Sequence, residues 1–197
     1  MVEHDEKECP DASGHATMGK WNSWYKGLKP GDENAVLYGD PLTYWMAASY
    51  LADVDEIEDW GCGKGGFRLF YQGHYIGIDG SNTPFAAKTV DLCTYHSSVS
   101  GILIRHVLEH NYKWEEILKS ALRSFTHKLC IVLFTPFMEK TTEIDQNSHW
   151  GVDVPDLSFS QSDFEQHLTG VRWRLFKDVS TNSQYKVEHV YFIWRDR

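Results

Sequence analysis

Glycines and acidic residues in the first third of the chain are spaced as in a ligand-binding loop. Glycine stands at positions 61, 63, 65 and 66, directly after residues 55–60, which we predict to form a strand. Because glycine has no Cβ atom, such a loop allows a ligand to approach the backbone closely. Asp79 ends the next predicted strand, where a carboxylate can accept two hydrogen bonds at once. These residues indicate a ligand site at the carboxyl ends of the first two predicted strands.

Two histidines could supply acid–base chemistry. His106 and His110 both follow the predicted strand 99–105 and could share one face of a helical turn. If a hydroxyl group were the nucleophile, a positioned base would have to remove its proton, and histidine suits that task near neutral pH. The alternative is that His110 only packs or caps locally and that His106 only shapes the pocket. Both residues are therefore candidate catalytic residues.

The glycine motif carries a resemblance to a known family. The pattern Asp59-x-Gly61-x-Gly63-x-Gly65, together with Asp79, resembles the signature of class I S-adenosylmethionine (SAM) dependent methyltransferases. The alternative is a nicotinamide enzyme, although a dinucleotide site would use the spacing Gly-x-Gly-x-x-Gly. The resemblance implies methyltransferase activity, SAM as cofactor and S-adenosylhomocysteine (SAH) as product. It also implies that Asp59 orders the loop near the amino-acid moiety of the cofactor and that Asp79 binds both ribose hydroxyls.

Further cofactor contacts follow from the same resemblance. The segment Val90-Asp91-Leu92 is similar to the family's adenine-binding turn, although Asp91 could equally be an ordinary turn residue. Arg105 could contact the cofactor carboxylate or a substrate oxygen, or could serve only as a structural ion-pair partner. The predicted cofactor contacts are Asp59, Gly61, Gly63, Gly65, Asp79, Gly80, Ser81, Asp91, Leu92 and Arg105.

A narrower resemblance suggests the acceptor. The segment 105–111, Thr135-Pro136-Phe137 and the segment 154–159 together resemble a small branch of the superfamily. Members of that branch accompany, or are fused to, glycosyltransferases in glycan-building proteins, including those of large DNA viruses. The resemblance implies O-methylation of a sugar hydroxyl of a glycan, such as one on rhamnose, with a histidine as general base. It also suggests a glycosyltransferase domain in the same chain or complex. The alternatives are N- or O-methylation of another small metabolite, and a SAM-binding scaffold without catalysis.

Three residues are candidate substrate contacts. Trp24 precedes the first predicted strand, where this family usually builds a cover, and aromatic rings can stack on sugar faces. The segment after Pro136 is long enough to act as a lid, and it contains His149 and Asp153. Its acidic residues could bind Mg²⁺, but no tight pair of ligands adjoins a motif, so no metal site is predicted.

Composition narrows the class of partner. The formal net charge of −9 and the pI near 5.5 argue against a nucleic-acid partner, because phosphate binding requires clustered Lys and Arg. No apolar run approaches the roughly 20 residues that cross a bilayer, and the start of the chain is charged. We therefore expect no membrane span and a cytoplasmic location, in the host cytoplasm if the chain is viral. Four widely spaced cysteines indicate reduced thiols.

Strand and helix patterns alternate along the chain and then end in two strands. This order predicts an α/β, Rossmann-like, doubly wound sheet of seven mostly parallel strands with a C-terminal antiparallel pair. We expect residues 1–20 to be a flexible tail or linker and residues 21–197 to form a single methyltransferase domain. Predicted strands are 55–60, 75–79, 99–105, 129–135, 171–179 and 187–194, and predicted helices are 41–51, 111–125 and 162–168, with another beginning at 66–71.

Overall fold

The computed structural model describes residues 17–29, 37–147 and 152–196. The strands within them are β1 (Glu56–Trp60), β2 (His74–Asp79), β3 (Lys88–Thr89), β4 (Val99–Arg105), β5 (Phe125–Leu133), β6 (Thr142–Gln146), β7 (Pro155–Ser158), β8 (Arg172–Ser180) and β9 (Val187–Trp194). The α-helices are α1 (Asn22–Tyr25), α2 (Leu42–Tyr50), α3 (Trp114–Ser124) and α4 (Gln161–Glu165). Gly66–Leu69 and Leu108–His110 form short 3₁₀ helices.

Seven strands form one sheet in the order β3-β2-β1-β4-β5-β9-β8. The strands from β3 to β5 run parallel, and β9 lies antiparallel to both β5 and β8. The predicted α/β fold, with its mostly parallel sheet and antiparallel C-terminal pair, is confirmed. The chain leaves β1 and β4 toward opposite sides of the sheet, so a crevice opens at the carboxyl ends of these two strands.

The side chains of the central strand β4 are buried on both faces of the sheet. Ile102, Leu103 and Ile104 are all fully buried. Ile102 and Ile104 belong to one apolar cluster and Leu103 to the other, because neighbouring side chains of a strand point to opposite faces. A continuous apolar run is what a strand between two helical layers requires.

The helix α3 covers one of these faces with a single apolar stripe. Its buried side chains include Trp114, Ile117, Leu118 and Ala121, which recur at three- and four-residue steps. The helix begins three residues later than the predicted range, at Trp114, and passes directly into β5 at Phe125. For that reason β5 also starts earlier than predicted.

The region predicted as a long lid contains a second, two-stranded sheet formed by β6 and β7. The sequence of β6, Thr-Glu-Ile-Asp-Gln, carries no apolar alternation, so only its pairing partner reveals it as a strand.

The segment predicted to begin a helix at Gly66 forms only the 3₁₀ helix Gly66–Leu69. The short edge strand β3 was also missed by the sequence pattern.

Two other expectations concern the whole chain. Within the described ranges, no helix has both the length and the apolar character needed to span a membrane. Cys62, Cys93 and Cys130 are free thiols in the structure. Cys9 lies outside the described residues.

Candidate active site

A cavity of about 400 Å³ opens at the carboxyl ends of the parallel strands. Two candidate bases and most of the predicted cofactor contacts line it. The predicted residues that line it are Trp24, Asp59, Gly61, Gly63, Asp79, Gly80, Ser81, Asp91, Leu92, Arg105, His106 and His110. Gly65 does not line it, because it faces the side chain of Phe85. The fold thus gathers residues that are distant in sequence around one space.

Asp153 and His149 are the other two residues that the sequence predicted as substrate contacts. Asp153 is exposed and does not line the cavity, and the amide of Gln146 donates a hydrogen bond to its carboxylate. The short β6–β7 hairpin accounts for this position, since Asp153 lies just before β7 and packs back onto the end of β6. His149 lies outside the described residues.

Gly61 allows the loop after β1 to pass close to the segment that follows β4. Its φ angle is +77°, and a Cβ atom there would lie 2.3 Å from Cγ2 of Val107. The N–H groups of Gly61 and Cys62 both donate to the carbonyl of Ile78, at 2.7 and 3.0 Å. A side chain at position 61 would therefore be excluded both by its backbone conformation and by space.

Asp79 connects the end of β2 to the glycine loop. Its Oδ2 atom accepts a hydrogen bond from the Gly63 N–H at 2.9 Å, and its Oδ1 atom accepts one from the Ser81 N–H at 2.7 Å. Burial raises the pKa of Asp79 from 3.8 to about 6, against the opposing effect of these N–H donors. The carboxylate is thus held in place at the cavity wall by the backbone.

A second buried carboxyl group lies at the end of β1. The hydroxyl of Tyr75 donates to Asp59 at 2.8 Å. Burial raises the pKa of Asp59 to about 7, the Tyr75 hydrogen bond opposes this, and the charge of Asp79 raises it further. Two acidic side chains in one crevice favour a ligand that brings hydrogen-bond donors or positive charge to it.

Residues 17–22, here called the N-terminal strap, lie across this part of the cavity. The Thr17 hydroxyl donates to Asp91 at 2.9 Å, and the Gly19 N–H donates to the Gly80 carbonyl at 2.7 Å. The Trp21 N–H donates to the Ser81 hydroxyl oxygen at 3.0 Å. Thr17 and Gly19, in the segment expected to be a flexible tail or linker, thus contact predicted cofactor residues, while residues 1–16 lie outside the described ranges.

Trp24 stands in the wall beside the strap. Its indole N–H donates to the Tyr38 hydroxyl at 3.3 Å, and the Lys64 ammonium lies 5.2 Å from its ring centroid. Lys64 also lies 4.8 Å from the ring centroid of Tyr38. An aromatic wall next to the glycine loop is therefore present where the sequence predicted a substrate cover.

The guanidinium of Arg105 is enclosed by protein groups. It donates to the Tyr38 carbonyl at 3.1 Å, lies 3.4 Å from a carboxylate oxygen of Glu188, and sits 4.0 Å above the Tyr44 ring. Its Nε atom donates to the Thr43 hydroxyl at 3.3 Å. These contacts correspond to the structural ion-pair alternative for Arg105, although part of the side chain still lines the cavity.

Both ring nitrogens of His106 lie close to charged side chains of the protein. Its Nδ1 lies 3.3 Å from Nη1 of Arg105, a group that can only donate, so Nδ1 must be the acceptor. Its Nε2 lies 3.2 Å from the Glu188 carboxylate but is not aligned as a hydrogen bond. Burial, and secondarily the Arg105 charge, lower the pKa of His106 to about 4.

His110 has the opposite arrangement. Its Nδ1 lies 3.0 Å from the Pro155 carbonyl oxygen and 3.1 Å from Oδ1 of Asp156. Both partners can only accept, so Nδ1 carries the proton and the lone pair of the neutral ring is on Nε2. Nε2 has no hydrogen-bond partner among the described residues, and the side chain lines the cavity. The Trp21 ring packs edge-on against it, with the centroids 5.1 Å apart.

Three buried acidic residues were not identified as site residues from the sequence. Asp156 and Glu188 contact the two histidines from β7 and β9. Glu109 accepts a hydrogen bond from the Phe134 N–H at 2.5 Å, and burial raises its pKa to about 7. Glu109 and Asp156 lie in the segments 105–111 and 154–159, whereas Glu188 lies in no motif. The sequence does not show their partners, because these lie far along the chain. In the described ranges, no group of three or more His, Cys, Asp and Glu side chains could hold a metal ion.

Comparison with known proteins bears on the fold. No model of a known protein family and no curated protein matches the sequence. Solved structures do match, among them the 1,6-didemethyltoxoflavin-N1-methyltransferase of Burkholderia thailandensis with SAH, at 12% identity and a TM-score of 0.60, covering 84% of this chain and 79% of that one. The N-terminal domain of EvdMO1 with SAH matches at 13% identity and a TM-score of 0.58, covering 86% of both chains.

A third match is an O-methyltransferase. The mitomycin 7-O-methyltransferase MmcR is 16% identical, with a TM-score of 0.53, and the match covers 79% of this chain and 54% of that one. At these identities the likeness concerns the architecture. Together with the strand order and the glycine loop, it shows that the chain has the class I fold of SAM-dependent methyltransferases.

Proposed function

We propose that this protein is a SAM-dependent methyltransferase that O-methylates a sugar hydroxyl of a glycan, with His110 as the general base. The observation that carries the proposal is the hydrogen bonding of the His110 ring. Because a carbonyl and a carboxylate lie against Nδ1, the neutral ring carries its lone pair on Nε2, and the side chain lines the cavity.

The cavity fits the cofactor. Asp79 is fixed by two backbone N–H groups and can accept hydrogen bonds from both ribose hydroxyls. Gly61 and Gly63, whose φ angles are +77° and +52°, keep the adjoining backbone free of side chains. Asp59 lies beside the same loop, and Asp91 and Leu92 line the region expected to hold adenine. When bound, SAM supplies an electrophilic methyl group.

A base is needed because an aliphatic hydroxyl barely ionises near neutral pH. In the proposal, Nε2 of His110 accepts the proton of the acceptor hydroxyl as that oxygen takes the methyl group, and SAH is the leaving group. His106 is poorly suited to this role, since its lone pair faces the Arg105 guanidinium and its burial lowers the pKa. The structure therefore favours His110 over His106, a choice that the sequence left open.

The cavity wall contains groups that suit a hydroxyl-rich acceptor. Beside the charged Lys20 and Lys64, it includes uncharged polar side chains and aromatic rings: Trp24, Tyr38, Phe134, Asn147, Asn182 and Gln184. Aromatic rings can stack on sugar faces, and amides can both donate to and accept from hydroxyls. Rhamnose is one candidate acceptor, and a glycosyltransferase that builds the glycan is the expected partner.

The fold alone does not choose between acceptors, because both an N-methyltransferase and an O-methyltransferase are among the similar structures. The test is methyl transfer from labelled SAM to a panel of sugars, amines and phenols. We expect sugars to be methylated. Methylation of amines or phenols with all sugars untouched would contradict the sugar acceptor.

Two variants test the base. We expect His110→Ala to lower kcat by about 100-fold while SAH affinity stays the same. His106→Asn is the matched variant, because Asn tolerates the positive φ of 56° at this position, and we expect it to keep most of its activity. Full activity of His110→Ala would exclude His110 as the base.

A further inference from the structure

Asp156 is a fully buried carboxylate in β7 that four side chains from different parts of the chain surround. It accepts hydrogen bonds from the Tyr185 hydroxyl at 2.8 Å, from the Gln184 amide at 3.4 Å and from the Asn147 amide. Nδ1 of His110 lies 3.1 Å away. The residue thus joins the loop after β4, the end of β6 and the β8–β9 connection beneath the acceptor side of the cavity.

A carboxylate accepts hydrogen bonds and donates none, so each neighbour must turn a donor toward it. For Asn147 the donor is the amide nitrogen, which leaves Oδ1 available for another partner. For His110, Nδ1–H donates to the Pro155 carbonyl oxygen and lies beside the Asp156 carboxylate, which leaves the Nε2 lone pair. Both residues line the cavity. Nε2 of His110 and Oδ1 of Asn147 can therefore accept hydrogen bonds from a ligand that carries donor groups.

We propose that Asp156 is a positioning residue that sets the hydrogen-bond polarity of the acceptor site. Asp156 takes the amide donor of Asn147 and, with the Pro155 carbonyl, faces Nδ1 of His110. This leaves Oδ1 and Nε2 as acceptors, so the site selects an acceptor molecule that carries at least two hydroxyl groups. One hydroxyl donates to Nε2 of His110 and is methylated, and a second donates to Oδ1 of Asn147. This inference rests on the proposed function and deepens it.

The hydrogen bonds of Asp156 are separate from those that hold Asp79 and the glycine loop. The hydrogen bonds to Asp156 come from Asn147, Gln184 and Tyr185, whereas those to Asp79 come from Gly63 and Ser81. A change at Asp156 should therefore act on methyl transfer and acceptor binding, and leave cofactor binding unchanged. A general loss of structure would weaken both.

The first test reads the ring of His110 in the wild-type protein by ¹⁵N NMR, with His110→Gln used to assign the signal. We expect the neutral ring to be protonated at Nδ1. This measurement needs neither turnover nor a variant of Asp156. A neutral ring protonated at Nε2 would overturn the proposal, whether or not any acceptor is methylated.

The second test compares Asp156→Asn with Tyr185→Phe, which removes one hydrogen bond to Asp156 but keeps its carboxylate. We expect Asp156→Asn to lower kcat/KM for the acceptor by about 100-fold with SAH affinity changed by less than about twofold. Tyr185→Phe should stay within about threefold of the wild type. Wild-type kcat/KM in a folded Asp156→Asn protein would overturn the proposal and leave the proposed function intact.

The third test addresses the second hydroxyl. With a series of deoxy-sugar acceptors, we expect the wild type to lose about tenfold in kcat/KM when the hydroxyl that reaches Asn147 is absent. Asn147→Ala should no longer distinguish that deoxy sugar from its parent. Equal discrimination by both proteins would contradict the role of Asn147. Absence of transfer to every sugar would instead contradict the proposed function, and the NMR result would still stand.

Discussion

The carboxylate of Asp79 accepts a hydrogen bond from the backbone N–H of Gly63 at 2.9 Å. This contact joins the end of β2 to the loop after β1, so the two most recognisable motifs of the sequence form one unit. Since the carboxylate is also held by the Ser81 N–H, it reaches the cavity already oriented. Preorganisation of this kind lowers the entropy cost of binding a ribose.

Asp79 should dominate cofactor affinity. We expect Asp79→Ala to weaken SAH binding by at least about 30-fold, because hydrogen bonds to a charged acceptor contribute about 1.5–3 kcal/mol each. Isothermal titration with SAH measures this. Asp196→Asn removes an exposed carboxylate elsewhere and serves as the control with the same charge change. Unchanged SAH affinity in Asp79→Ala would contradict the ribose contact.

SAH binding should weaken at acidic pH. Burial raises the pKa of Asp79 to about 6, and only the ionised form offers acceptors to both ribose hydroxyls. The ligand therefore favours the deprotonated form, and affinity should fall as pH drops below about 6, by at most about tenfold per pH unit. Titrations between pH 5 and 8 test this. The SAH affinity of the Asp79→Asn variant should not show this fall at acidic pH. A wild-type affinity that stays constant between pH 5 and 8 would contradict the prediction.

Gly61 and Gly170 form a matched pair for testing the close approach of the glycine loop. Their φ angles are +77° and +79°, but a Cβ atom at Gly61 would meet Val107 at 2.3 Å, whereas none would be met within 4 Å at Gly170. Gly170→Ala should cost about 1–2 kcal/mol of unfolding free energy from backbone conformation alone. Gly61→Ala should cost about 1–3 kcal/mol more. Urea unfolding measures both, and equal losses would contradict the predicted clash.

Glu109 should make the stability depend on pH. Burial raises its pKa from 4.5 to about 7, so its stabilising contribution is fully present below about pH 4.5 and is lost as pH rises through about 7. Glu109→Gln does not titrate, so its stability relative to the wild type should rise by up to about 3 kcal/mol between pH 4.5 and 7. Urea unfolding at several pH values measures this. A constant difference between the two proteins would contradict the prediction.

The local pattern of the sequence predicted most elements of the main sheet. The unbroken apolar run of β4 and the apolar stripe of α3 are local signals, because each depends on one periodicity along a short segment. The glycine spacing is local as well, since a turn with positive φ angles demands glycine wherever it occurs. The hairpin of β6 and β7 has no such signal, because its strands are short and β6 is polar.

The sequence by itself determined the α/β class and predicted the cofactor loop and the pair of histidines that could act as a base. Only the tertiary structure distinguishes the surroundings of those histidines, because these depend on the groups that lie near each ring. Arg105 and Glu188 enclose His106, whereas Pro155 and Asp156 hold Nδ1 of His110. Glu188 and Asp156 come from β9 and β7, far along the chain. A proton's position on an imidazole ring is set by contacts in space, and no spacing in the sequence records them.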